Sequence, residues 1–190
     1  ERETVADMVH QALQSGSQGL GLILSKNVKL GAPYAEVKSQ EENDREFSNN
    51  YVLFSQQCSG AFSGTLSLLL AASEASKISA IVMGHDDAPA GTTLDSAQIA
   101  TVKDALGPLL FSVANQISVR IGSAVTPMPV DVKVLTPPSA FPVQESAAYL
   151  RIQFPFNVEG TVDSRLTMVM PLPIAQDIYR RSKGQAEQGG

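Results

Sequence analysis

Thr65-Leu-Ser-Leu-Leu-Leu70, followed by Ala75-x-x-Ile78, returns one hundred residues later as Arg165-Leu-Thr-Met-Val-Met170, followed by Ala175-x-x-Ile178, with no gap. Working outward, Val28-Lys-Leu-x-x-Pro33 is echoed by Val132-Lys-Val-x-x-Pro137, and Tyr51-Val-Leu-Phe54 by Tyr149-Leu-Arg-Ile152. Four matches in one order point to an internal repeat. Two copies of one unit pack about a pseudo-twofold axis and can carry two copies of one site. The expected halves are residues 1–84 and 95–183, joined by a linker over 85–94, in a single α/β (α+β) domain spanning 1–183. Residues 184–190, rich in Gly and Gln, read as a flexible tail or the start of an interdomain linker.

A chain of 190 residues with 43% hydrophobic content can bury one sizeable core, whereas each half alone is smaller than most independent domains. The net charge of -5 and the lack of any Lys/Arg cluster along the chain argue against a nucleic-acid partner. The tightest basic group, Arg180-Arg181-x-Lys183, reads as the last turn of a helix answering the macrodipole. Cys58 is the sole cysteine, so no intrachain disulfide forms and the cytoplasm is the expected compartment. The most apolar run, Leu66 to Ala72, is far short of the ~20 residues that a membrane span needs. The chain starts at Glu1 without a methionine, which reads as a fragment.

Val5, Met8, Val9, Ala12, Leu13, Leu20, Ile23 and Leu24 fall at helical spacing and predict a first helix. Gly16, Gly19 and Gly21 lie inside it at roughly 1 kcal/mol each relative to Ala, a cost that close approach of another backbone would offset. A strand over Val28–Val37, interrupted by Pro33, leads to a polar connection over 36–50. Tyr51–Cys58 and Ser63–Leu70 then form a hairpin through Ser59-Gly60. Ser73 is expected to cap a short helix ending at Met83, with Glu74 in its first turn.

In the second half, Asp95 or Ser96 caps a long helix whose apolar face runs from Ile99 through Val102, Leu106, Leu109, Leu110 and Val113 to Ile117. Gly107-Pro108 predicts a kink there or two helices, since an interior proline costs about 3 kcal/mol. Thr126-Pro-Met-Pro129 turns the chain into a strand over Val130–Leu135. Ala148–Phe156 and Arg165–Met170 form the second hairpin, and Pro173 starts the closing helix. Met168 and Met170, alternating with Val169, read as core on both faces of a sheet.

With these residues in place, the chain resembles the CheC, CheX and FliY proteins of bacterial chemotaxis and the related middle domain of the FliM switch protein. The resemblance covers the folded length and is sharpest over Val162-Asp-Ser-Arg-Leu-Thr-Met-Val-Met-Pro-Leu-Pro-Ile-Ala-Gln-Asp-Ile178. It implies two long helices packed on a sheet that both repeats build. It also implies removal of phosphate from the phospho-aspartate of a CheY-type regulator. The family motif is Asp or Ser, three residues, Glu, two residues, Asn, and 22 residues to a Pro. Spacings of four and three put those side chains on one helix face, where the amide orients a water and the acid engages the regulator.

Laid on the first half, the motif falls on Glu3, Asp7 and His10, with 22 residues between His10 and Pro33. The spacing survives while Asp7 is one methylene shorter than Glu, although His10 could still hold a water. These positions are either a divergent phosphatase site or a solvated helix face. In the second half, counting back from Pro138 gives Asn115, Ser112 and Pro108, whereas the local pattern Asp104-Ala-Leu-Gly107 gives Asp104, Pro108 and Phe111. The Glu is missing in both registers, and Glu145 is the wrong distance away to replace it. Asn115 alone also reads as a surface or packing amide.

Other motifs carry less. His85-Asp86-Asp87 has no further His or Cys to complete a metal site and reads as a solvated loop. Gly60-Ala-Phe-Ser63-Gly64 is not a nucleophile elbow, and Gly16-x-x-Gly19-x-Gly21 is not a dinucleotide fingerprint. No cofactor or metal is implied. Two functional classes follow: a module that binds a CheY-type response regulator or flagellar switch proteins through a degenerate site, or an acyl-phosphate phosphatase working through Asp7 and His10 or through Asn115. The expected state is a monomer or weak oligomer, because the repeat supplies its own symmetry.

Overall fold

The computed structural model describes residues 2–47, 50–84, 91, 93–136 and 141–189. The elements in chain order are α1 (Arg2–Leu24), β1 (Val28–Leu30), β2 (Tyr34–Ser39), α2 (Gln40–Glu46), β3 (Tyr51–Gly60), β4 (Gly64–Ala71), α3 (Ala72–Val82), α4 (Ser96–Ile121), β5 (Val125–Pro127), β6 (Asp131–Leu135), β7 (Ala148–Val158), β8 (Val162–Pro171) and α5 (Leu172–Gly189). All strands join one antiparallel sheet in the order β1-β7-β8-β4-β3-β5, with β2 also on β7 and β6 also on β3. The fold class is mixed α/β, with two long helices and a sheet to which both halves contribute.

Leu68 pairs with Met168 at the centre of the sheet, flanked by Ser67 opposite Val169 and Leu69 opposite Thr167. Exchanging each β4 residue for its repeat mate in β8 maps this ladder onto itself. The hairpins follow suit: Tyr51 faces Ala71, and Tyr149 faces Pro171. Gly60 and Val158 therefore hold matching places, and their partners are Val125 and Val28. This puts β5 in the position of β1, and β6 in that of β2. The sequence match between Val28 and Val132 is out of register with the strands, because two short Val-Lys segments look alike whatever their pairing.

Period-two alternation sorts the strands between two cores. Val52, Phe54, Leu66, Leu68, Leu70, Ile152, Phe154, Phe156, Met168 and Met170 face α1, α3, α4 and α5 and are buried. At ~1.5–3 kcal/mol for each fully buried large side chain, this layer dominates the driving force. Leu53, Leu69, Leu135, Tyr149 and Val169 point the other way and pack with Phe47 and Phe141. The Tyr149 hydroxyl accepts from Glu145 N and Ser146 N at 2.7 and 3.0 Å and donates to the Val143 carbonyl at 3.1 Å, which fixes segment 141–147 over that second core.

Several local expectations change. α4 runs without interruption through Pro108 instead of dividing there, with Pro108 on its exposed side and Asp95 and Gln98 closing a capping box at its start. The polar connection holds β2 and the short α2, whose capping box joins Ser39 and Glu42. Backbone hydrogen bonding by Ser39 holds the Glu42 carboxyl below its usual range. α3 is capped by Ala71 with no side-chain bond, so Ser73 lies inside it. α5 continues to Gly189, so residues 184–189 of the stretch read as a tail are helical. Arg180 and Arg181 are thus interior to α5 and bond Asp177, while Arg181 also donates to the Ala61 carbonyl at 2.9 Å. Of the α1 glycines, Gly16 meets α4, and it meets side chains: a Cβ there would lie 2.7 Å from Leu109 Cδ2, whereas at Gly19 it would meet nothing. The His85-Asp86-Asp87 segment, Pro137 and Pro138 lie outside the described residues.

Candidate functional site

The motif positions of the first half occupy the N-terminal half of α1, where Val5, Ala6, Met8, Val9, Ala12 and Leu13 bind the helix to the sheet. Glu3 and Asp7 stand on the solvent side. Glu3 pairs with Arg2 at 3.7 Å, and a hydrogen bond from its own backbone holds its carboxyl below the usual range. His10 points elsewhere. Its ring stacks on Phe154 of β7, with centroids 5.8 Å apart and planes 9° from parallel. Its Nε2 is buried without a hydrogen-bond partner among the described residues. This nitrogen is therefore not presented to solvent beside the exposed Asp7.

On α4, Asn115 is exposed, Pro108 is exposed, and Ser112 donates to the Pro108 carbonyl at 3.2 Å. The Ser112 hydroxyl is therefore engaged within its own helix, as a serine bonding back to the carbonyl four residues earlier. Phe111 is 44% exposed on the same side. The ends of α1 and α4 supply a further register. Leu24 and Ile121 end the two helices, followed by left-handed Ser25 and Gly122 at φ 54° and 67°. Counting back from these ends puts Asp104 at the place of Asp7 and Gly107 at that of His10. Neither counting scheme from sequence paired those residues. Gly107 is buried, with Val130 3.8 Å from where its Cβ would be.

α1 and α4 lie side by side. Gln11 Oε1 accepts from Gln116 Nε2 and Arg120 NH1, both at 3.4 Å, and joins the helices on their solvent side. The sequence carried a signal for Gln11: with Asp7 and Gln14 it forms the polar stripe at spacings of four and three that the apolar face leaves over. The shared outer face presents Asp7, Gln11 and Gln14 from α1 with Phe111 and Asn115 from α4. It offers carboxylate, amide and aromatic groups, with Asp7 in place of a Glu at the acid position of the motif. Glu145 is committed elsewhere, since its carboxylate accepts from the backbone N–H of Thr65 at 2.9 Å and from the Thr65 hydroxyl.

Among the described residues, no group of three or more His, Cys, Asp or Glu could hold a metal ion, and no helix is long and apolar enough to cross a membrane. Cys58 is buried in the main core, and burial, with a smaller push from Glu145, raises its thiol to about 11. Such a thiol is inert.

No family model matches the chain. A curated relative, the flagellar motor switch phosphatase FliY of Bacillus subtilis (strain 168), is 21% identical over 181 residues, which are 94% of this chain and 48% of that protein. The chain thus spans about half the length of the curated relative it matches. Thermotoga maritima FliY superposes with a TM-score of 0.84 at 20% identity, covering 95% of this chain and 96% of that one. CheX in a complex with CheY, BeF3 and Mg from Borrelia burgdorferi gives a TM-score of 0.58 at 11% identity over 87% and 95% of the two chains. By fold, the chain belongs with the CheC-like proteins, FliY, CheX and the FliM middle domain.

Proposed function

We propose that this chain is a chemotaxis or flagellar switch module that docks a CheY-type response regulator, or a neighbouring switch protein, on the outer face of α1 and α4, with phosphatase positions that no longer form a working pair. The observation that carries this reading is the orientation of His10. Its ring lies on Phe154 and its Nε2 is buried. Dephosphorylation of an acyl phosphate depends on placing a water and a charge to within fractions of an ångström. A carboxylate one methylene short at Asp7 and a nitrogen turned into the protein do neither. On α4, the two registers counted from the sequence put Ser112 or Pro108 at the acid position, and the helix ends put Asp104 there, a carboxylate again one methylene short.

The names of the similar proteins support this class. One relative is a motor switch phosphatase, and one neighbouring structure is a CheX–CheY complex. The first name equally supports an active enzyme as the second reading, with Asp7 and the exposed Asn115 as its working groups. In either case the protein would act in the cytoplasm, beside the base of the flagellum. The test is the decay of a phosphorylated CheY-type regulator with and without the chain, repeated with Asp7→Ala and Asn115→Ala. Unchanged decay together with measurable binding supports the docking module. Accelerated decay that the substitutions abolish supports the enzyme.

A further inference from the structure

The two edges of the sheet follow one plan and are finished differently. At β1, the N–H of Glu159 donates to the Asn27 carbonyl at 2.9 Å and that of Gly31 to the Pro155 carbonyl at 2.7 Å. Bonded and non-bonded pairs alternate in an antiparallel ladder, so Val28 and Leu30, opposite Val158 and Phe156, turn their N–H and C=O groups away from β7. β5 repeats the pattern: bonds from Ala61 N to the Ala124 carbonyl at 2.9 Å and from Met128 N to the Gln57 carbonyl at 2.8 Å leave Val125 and Pro127 facing outward. That edge is closed twice. The Val125 N–H donates to Ser118 Oγ of α4 at 2.9 Å, and Pro127 has no N–H to offer. Both devices keep an edge strand from taking up another strand. Counted from the helix ends at Leu24 and Ile121, Gly21 stands in the place of Ser118, Val28 in that of Val125 and Leu30 in that of Pro127. β1 therefore has neither device, since Gly21 carries no hydroxyl and Leu30 keeps its N–H.

We propose that β1 takes up an extended peptide segment of a partner protein as an added antiparallel strand, with an acidic residue of that segment opposite Lys29. The outward N–H and C=O groups of Val28 and Leu30 supply the main-chain bonds. Space for the strand lies beside them: two hollows of 770 and 550 Å³ run between α1 and β1, both lined by Ser17, Gln18 and Val28, the first reaching Leu30 and the second Gly21. Val28 and Leu30 pack against the main core, while Lys29 is exposed on the other face. A directly opposed side chain of opposite charge is favoured across such a pair, which selects Asp or Glu there. The residues on either side of the acid face α1, where Ser17 and Gly21 leave room for short side chains. The seat is made of main-chain groups and is independent of the phosphatase positions.

The experiment titrates the isotope-labelled chain with the capped pentapeptide Thr-Val-Glu-Val-Thr to millimolar concentration and follows amide shifts. Saturable shifts at Val28, Lys29 and Leu30 are expected, with affinity lowered at least tenfold when both peptide valines are N-methylated and at least threefold when the peptide Glu is replaced by Lys. Two variants give β1 the devices of β5. Gly21→Ser offers Val28 a hydroxyl, and because its Cβ lies 3.0 Å from the Lys26 carbonyl, Leu30→Pro is measured beside it. Each should weaken binding at least fivefold while shifts in β4 and β8 stay in place. Absence of saturable shifts at residues 28–30, equal binding of the N-methylated peptide, or unchanged affinity in the variants would overturn the proposal. So would the same shifts appearing without peptide as the chain is concentrated, which would assign the edge to a second copy.

Discussion

Leu68 of β4 lies directly opposite Met168 of β8, and both side chains are fully buried. They are also the residues that the repeat in the sequence makes equivalent. The pair is the point about which the β4–β8 ladder exchanges onto itself. Its packing holds α1 and α4 over one continuous core.

Leu68→Ala is therefore expected to lower stability by about 2–5 kcal/mol, and Met168→Ala by a similar amount. Their effects should not add, because each truncation opens the same cavity and neighbours in contact couple. Urea titration of the two single variants and the double variant measures this. Additive losses would mean that the two side chains do not share a cavity.

Arg151 is buried on the second core, bonds Glu46, donates to Asn43 Oδ1 at 2.7 Å, and has its guanidinium carbon 4.7 Å from the centre of the Phe47 ring. Glu46 is 43% exposed. Removing the arginine returns the carboxylate to water, whereas removing the glutamate leaves a buried cation. Glu46→Ala is expected to lose about 3–5 kcal/mol, against about 1–3 kcal/mol for Arg151→Met, which leaves the buried Asn43 Oδ1 without its donor. Chemical denaturation of both variants gives the order, and the reverse order would refute the asymmetry.

Ser25 sits at φ 54° after α1 where Gly122, at φ 67°, sits after α4. Both ends carry the same closing bond, from Lys26 N to the Gly21 carbonyl at 3.2 Å and from Ser123 N to the Ser118 carbonyl at 3.3 Å. A left-handed residue with a Cβ costs roughly 1–2 kcal/mol. Ser25→Gly should raise the melting temperature by a few degrees, and Gly122→Ser should lower it. A fall for Ser25→Gly would show that the serine side chain is needed there.

Cys58 has its thiol raised from 9.0 to about 11 by burial, with a smaller push from Glu145. The unfolded thiol ionises first as pH rises, so the unfolded state binds fewer protons above pH 9. The thiol's contribution to stability is accordingly constant below the unfolded value and is lost between about 9 and 11. Cys58→Ala should flatten that part of the stability profile. In the native wild-type protein, iodoacetamide at pH 8 should label the thiol only at the rate of unfolding.

Much of the architecture was legible because burial writes itself into period. The alternation of Val52, Phe54, Leu66 and Leu68 and the 3.6-residue rhythm of α1 and α4 are direct consequences of one-sided packing. The division into two helices at Pro108 does not occur because the cost of the proline is local, while Leu106, Leu109, Leu110 and Val113 hold the helix from both sides of it. The short α2 announced itself only through Ser39 and Glu42, since seven residues carry too little periodicity. His10 illustrates the limit at the site. Spacing puts it in the stripe of Asp7, but the choice between water and the face of Phe154 is a rotamer decision that depends on β7, far away in sequence.

On the function proposed above, the α1–α4 face docks a phosphorylated partner without the groups needed to dephosphorylate it. The most direct measurement is the decay rate of a phosphorylated CheY-type regulator with wild-type chain and with the double variant Asp7→Glu, His10→Asn, which restores the acid and amide at their motif positions. The spontaneous rate is expected with wild type, and an increase of at least tenfold with the double variant. A wild-type chain that accelerates decay, with that acceleration abolished by Asp7→Ala, would contradict it.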